Sequence, residues 1–117
     1  MSRELGGAGA ATARLVEMSA DVRAALALDP AGGLVAVSGA DRRRARRLAD
    51  LAYELVLAAD SASAGPIEQI EAQTVAGAVF IVRDARYTLA CVVCRLALPA
   101  LVLYDLHQSL LALEDPA

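Results

Sequence analysis

Apolar positions along the chain change their period several times, and each change marks an element. Over 21–39, "DVRAALALDPAGGLVAVSG", Val22, Ala24, Leu26 and Leu28 recur at every second position, the spacing of a strand. "DPAGG" then supplies a turn, because proline presets one negative φ and glycine accepts a positive one. "LVAVS" reads as the return strand and Gly39 ends it, so the segment predicts a β-hairpin. From 40 to 66 the period lengthens. Leu48, Leu51, Ala52, Leu55 and Ala59 fall at i, i+3, i+4, i+7 and i+11, one apolar stripe of a long helix. Asp41 is placed to cap that helix, and "SASAGP" stops it.

Strand spacing then returns. "IEQIEAQT" (67–74) mixes polar and apolar residues on both faces, as an edge strand does; "AGAVFIVR" (76–83) follows, then the short turn "DAR", then "YTLACVVC" (87–94). "LPALVLYDLHQSLLAL" (98–113) reads as a closing helix with Pro99 near its start, where a missing N–H does no harm, and with Leu103, Leu106, Leu110 and Leu113 as its stripe. At the other end, "TARLVEM" (12–18) predicts a short helix with Leu15 and Met18 on one side, broken by Ser19 and Asp21. The Gly- and Ala-rich residues before it read as a flexible tail over 1–12, leaving one domain over 13–117. The element order is α-β-β-α-β-β-β-α. Short strands joined by hairpin turns predict an α/β sandwich: a five-stranded antiparallel sheet, the long helix on one face and the first and last helices on the other.

Composition adds two constraints. The chain has 117 residues, is 57% hydrophobic and carries a formal net charge of −3, a globular rather than disordered balance. Only 3% is aromatic, so the core has little bulky filling and gains from burying more surface by self-association. Every basic residue is arginine, a uniform bias along the chain. The acidic total argues against nucleic-acid binding, which needs a net basic face. No secretory signal is visible at the N-terminus, and two cysteines do not make a disulfide framework, so a cytoplasmic setting is expected. The window 88–106 is about as long as a spanning helix. However, Arg95 and Pro99 fall near its middle and Asp105 near its end, and an arginine there costs at least ~2.5 kcal/mol, so no membrane insertion is expected.

Cys91 and Cys94 raise the question of chemistry. A reactive CxxC places its first thiol at a helix N-terminus or beside cations. Here Val92 and Val93 separate the thiols and the setting is a strand, on which residues i and i+3 point to opposite faces. Their Cα atoms would lie ~10 Å apart, beyond the ~7 Å reach of a disulfide. Cys91, Cys94 and His107 match C-x2-C-x12-H of a zinc finger, but the fourth-ligand positions hold Leu111, Ala112 and Leu113. A CxxC redox or zinc-binding protein is therefore the alternative reading, and two small apolar core residues the preferred one. Glu68 and Glu71 face opposite sides of a strand and make poor acid–base partners. No catalytic group, cofactor or metal is expected. The unusual feature is Arg42, Arg43, Arg44, Arg46 and Arg47 at the start of the long helix, where the dipole favours anions. These arginines are either a solvated face or a patch for an acidic partner, with Arg42, Arg43, Arg46 and Arg47 as the candidate contacts.

The order and spacing of "VRAALALDPAGGLVAVSG", "VFIVRDARYTLACVV" and "LALPALVLYDLHQSLLAL" resemble the roadblock/LC7 family over about 13–113. That resemblance implies a non-enzymatic module that homodimerises by pairing its third strand and second helix across a two-fold axis. Carried onto this chain, it implies an interface of Ile67, Gln69, Ile70 and Glu71 with Leu51 and Leu55. Several bacterial members of the family bind small Ras-like GTPases, so the implied partners are a second copy and a small GTPase or another signalling protein.

Overall fold

The computed structural model describes residues 3–63, 68–73, 75, 77–94 and 98–113, with side chains from residue 7. The elements are α1 (Arg3–Met18), β1 (Val22–Leu28), β2 (Leu34–Ser38), α2 (Arg42–Ser61), β3 (Gln69–Gln73), β4 (Gly77–Arg83), β5 (Thr88–Cys94) and α3 (Pro99–Ala112). The strands form one antiparallel sheet in the order β2-β1-β5-β4-β3, so β3 is an edge, as its half-polar sequence predicts. The window weighed as a membrane span is divided between β5 and α3, and among the described residues no helix is long and apolar enough to cross a membrane.

Two cores flank the sheet. On one face α1 and α3 cover Ala25, Ala27, Phe80, Val82, Leu89 and Cys91. On the other, α2 covers Leu26, Leu28, Ile81 and Ala90. Alternation in β1 therefore does not separate core from solvent. Ala25 and Ala27 are as buried as Leu26 and Leu28, because helices lie on both sides. The β1–β2 turn closes as expected. Asp29 Oδ1 accepts from the N–H of Ala31 and of Gly33, and Gly32 adopts φ 92° under the ring of Tyr53. Gly39 ends β2 at φ 85°, where a Cβ would also collide with the carbonyl of Arg23.

Two sequence expectations are corrected. The first helix begins at Arg3, so most of the stretch read as a loose tail is helical. Glycines weaken such a helix by ~1 kcal/mol each in isolation, but packing on the sheet overrides this. Ala8 and Thr12 are fully buried, and the Thr12 hydroxyl back-bonds to the carbonyls of Ala8 and Gly9 while accepting from Ser38 Oγ at 3.3 Å.

The second correction is the phase of α2. Its N-cap is Asp41, whose Oδ1 accepts from the Arg44 N–H at 2.8 Å, but its buried residues are Ala45, Ala49, Ala52 and Val56. Leu48 and Leu55 pack only partly against the core and Leu51 is 48% exposed. The sheet supplies the bulk here, through Leu26, Leu28 and Ile81, so the helix must present small side chains to approach it. Leucines are displaced to its flank.

The β4–β5 turn locks α3 in place. Arg86 donates to the Leu110 carbonyl at 2.9 Å and to the Leu113 carbonyl, satisfying acceptors that a helix C-terminus leaves open. It also pairs with Asp84 at 2.9 Å. Partial burial alone would raise the Asp84 carboxyl. The Arg86 side chain and the backbone N–H groups of Arg86 and Tyr87 outweigh it and hold that carboxyl below its ordinary value.

Candidate functional site

β3 has a definite polarity along its free edge. Arg83 N–H donates to the Glu68 carbonyl at 3.0 Å, and the β3–β4 register pairs Gln69 with Val82, Ile70 with Ile81 and Glu71 with Phe80. In an antiparallel ladder hydrogen-bonded pairs alternate, so Glu68, Ile70 and Ala72 turn their backbone groups toward β4. Those of Gln69, Glu71 and Gln73 point away from the sheet. The side chains divide in the same rhythm. Ile70 is half-buried against the α2 core. Gln69, Glu71 and Gln73 are exposed on the α3 face, where Gln69 Oε1 lies 2.9 Å from His107 Nε2 and Gln73 donates to Glu71 at 2.7 Å. Ile67, also expected in this edge, lies outside the described residues.

Above the edge runs a leucine ridge. Tyr53, on one flank of α2, packs on Gly32 at the β2 side of the sheet. At 3.6 residues per turn, Leu48, Leu51 and Leu55 fall on the opposite flank, the β3 side. Ile70, Leu51 and Leu55 are thus on one face, at one end of the strand order. A self-pairing strand would need apolar surface of this kind beside it.

The five arginines of α2 are all exposed, and among the described residues none forms an ion pair. Arg44 and Arg23 border a shallow cleft of about 250 Å³ whose floor includes Val79, Val92 and Cys94. A second hollow, of about 430 Å³, lies at the other end of α2. It has an apolar wall of Pro30, Tyr53 and Val56 and an acidic rim of Asp60, Glu68 and Asp84, with Arg83 bound to Asp60. The α2 face is therefore basic at one end and acidic at the other.

The thiols do not converge. Both are free; Cys91 is buried in the α1/α3 core, whereas Cys94 is half-buried and donates its S–H to Asp21 Oδ1 at 3.2 Å. Burial, with a smaller contribution from Asp105, pushes the Cys91 thiol up to about 12, the opposite of an activated nucleophile. His107 is engaged by Gln69 at the sheet edge. A thiol-alkylating reagent is expected to label Cys94 in the native protein, and Cys91 only after unfolding. Equal native rates at both positions, measured by mass spectrometry, would contradict this burial.

Sequence reasoning missed the outer face of α3. Leu101, Tyr104 and Leu111 are more than 60% exposed, whereas the buried positions are Val102, Leu106, Leu110 and Leu113. The stripe read from sequence, Leu103, Leu106, Leu110 and Leu113, does face the core, with Leu103 partly buried against it; what that reading left out is that the opposite side of α3 is apolar as well.

The sequence matches no family profile and no curated protein. The fold, in contrast, matches solved structures over most of its length. A roadblock/LC7 domain from Streptomyces avermitilis superposes with a TM-score of 0.83 at 22% identity, over 89% of this chain and 92% of that one. The gliding protein MglB from Thermus thermophilus gives 0.84 at 16% identity, over 97% and 90%. An MglB described as having a tetrameric arrangement gives 0.83 at 16%, over 97% and 89%. The chain has the roadblock/LC7 fold.

Proposed function

We propose, with the roadblock/LC7 fold as premise, that this chain is a non-enzymatic, homodimeric regulatory module of the cytoplasm that regulates or scaffolds a small Ras-like GTPase or a signalling complex built on one. The observation that carries the reading is the β3 edge. Its outward backbone groups are those of Gln69, Glu71 and Gln73, and the apolar surface beside it is Ile70 with Leu51 and Leu55. A second copy running antiparallel along that edge would continue the sheet and bring the two α2 ridges together. The tetrameric MglB supports self-association in proteins of this fold.

Electrostatics fit that pairing. β3 starts beside Glu68, whose side chain lies on the α2 face, and ends near the cleft bordered by Arg44. Antiparallel pairing sets Glu68 of one copy near the arginine-bearing end of the other, on the same face. Glu71 lies on the opposite face and takes no part. Arg42, Arg43, Arg46 and Arg47 are left to meet an acidic partner, with a salt-dependent on-rate.

The test is calorimetric binding of the purified chain to a Ras-like GTPase of its own genome, loaded with GDP or a GTP analogue. Binding is expected in one nucleotide state, weakened at least about tenfold when Arg42, Arg43, Arg46 and Arg47 are all replaced by glutamate. No binding in either state overturns the GTPase reading. Binding undiminished by the fourfold variant removes the arginines from it.

A further inference from the structure

The outer face of α3 is an apolar surface that the reading above does not use. Leu98, Leu101, Tyr104 and Leu111 are 63, 61, 62 and 74% exposed. Leu101, Tyr104, Gln108 and Leu111 follow i, i+3, i+7 and i+10, so they form one stripe, diametrically opposite Val102, Leu106 and Leu110 in the core. Met18 of α1, 68% exposed, extends the stripe across the groove that it lines with Asp105 and Gln108. We propose that this stripe is a second self-association surface, whose occupant is α3 of another copy packed across a two-fold axis. The inference goes beyond the β3 dimer and does not rest on it.

Area, charge and symmetry point to this occupant. The five side chains leave on the order of 500 Å² of apolar surface exposed, the size at which the largest patch of a monomer is commonly functional. Pairing the stripe with itself removes that area twice, about 1,000 Å² in total, the level a specific interface must reach. Within Pro99–Ala112 the one formal charge is Asp105, so α3 can face a copy of itself with little like-charge repulsion. A membrane-surface helix carries lysines or arginines beside its apolar face, and α3 has none. The rim is self-complementary as well. Arg14 and Glu17 of α1 are exposed, and Arg14 lines the groove that holds Asp105. Arg14 and Glu17 with Asp105 put both signs of charge beside the stripe, so a two-fold pair has opposite charges available at its rim. The stripe is also centred near Tyr104, so an antiparallel pair sets Leu98 of one copy toward Leu111 of the other and leaves neither apolar end uncovered.

Sedimentation velocity of the full chain over a range of micromolar concentrations tests this, with three variants: the double substitution Leu101→Glu and Tyr104→Glu, the single substitution Leu111→Arg, and Glu71→Pro in β3. All the α3 positions are solvent-exposed, so these substitutions leave the core intact, which far-UV circular dichroism verifies; Leu111→Arg serves if the double variant misfolds. Wild type is expected to populate species above the dimer, each α3 variant to stop at the dimer, and Glu71→Pro to retain a dimer made through α3. If Glu71→Pro changes nothing while the α3 variants become monomeric, the β3 interface fails and the α3 surface stands. Wild type and α3 variants with the same distribution overturn the proposal, as does a monomeric wild type. A wild-type monomer that co-sediments with neutral phosphatidylcholine vesicles assigns the stripe to a lipid surface instead.

Discussion

Glu71→Pro is expected to weaken the β3 self-pair by roughly tenfold to a hundredfold or more while leaving each subunit folded. The Glu71 N–H points out of the sheet, and proline is tolerated on an edge strand when the N–H it removes faces outward. In a two-fold pair the change acts on both copies. Two lost hydrogen bonds amount to ~1–3 kcal/mol, and the two rings crowd the approaching strands further. A tenfold change in dissociation constant corresponds to about 1.4 kcal/mol. Ile70→Pro is the instructive control. The Ile70 N–H faces β4, so that variant breaks the internal ladder and destabilises the subunit itself. Sedimentation at micromolar concentration measures the first effect and urea unfolding the second. If β3 carries the dimer, Glu71→Pro combined with Leu111→Arg, which removes the α3 contact, must shift dimer to monomer while far-UV circular dichroism shows the subunit still folded; a combined variant as dimeric as Leu111→Arg alone rejects the edge.

The combined substitution Ala45→Leu and Ala52→Leu is expected to destabilise the subunit by ~2–6 kcal/mol. Ala45 and Ala52 are 0% and 2% exposed between α2 and the sheet. Overpacking a closed site costs ~1–3 kcal/mol, so two sites on one helix face remove a large fraction of the 5–15 kcal/mol that holds a domain of this size. Leu51→Ala, in contrast, removes a larger side chain from a half-exposed position and should change subunit stability by less than about 0.5 kcal/mol. Chemical denaturation of the two variants discriminates the observed helix phase from the leucine stripe read from sequence. Were Leu51→Ala the more destabilising, the alanine face would be the wrong one.

What the chain's own pattern determined was the order of elements and most of their limits. Turn chemistry at Asp29 to Gly33, the cap at Asp41, the N-terminal proline of α3 and the change of apolar period between strands and helices are local features, and local features survive in one dimension. The edge position of β3 was legible for the same reason, because half of its residues are polar. The separation of Cys91 from Cys94 followed from strand geometry alone.

Only the tertiary structure decided which side of α2 is inside. Hydrophobic periodicity weights bulk, and in α2 it selected Leu48, Leu51 and Leu55. The sheet already supplies Leu26, Leu28 and Ile81, so the space left for α2 admits alanine. In α3 the leucine stripe does mark the inner side, through Leu106, Leu110 and Leu113, but the exposure of an equally apolar outer side at Leu101, Tyr104 and Leu111 follows from the sheet lying beneath one side only. The glycine-rich first helix likewise depends on the sheet, since Ala8 and Thr12 become helical core only when β1 and β2 lie against them. The direction of the Glu71 and Ile70 amides needed the β3–β4 register, a pairing between segments that strand propensity alone does not specify. In each case the deciding quantity is the volume, or the hydrogen-bonding partner, offered by residues distant in the chain, and no window of neighbouring residues contains it.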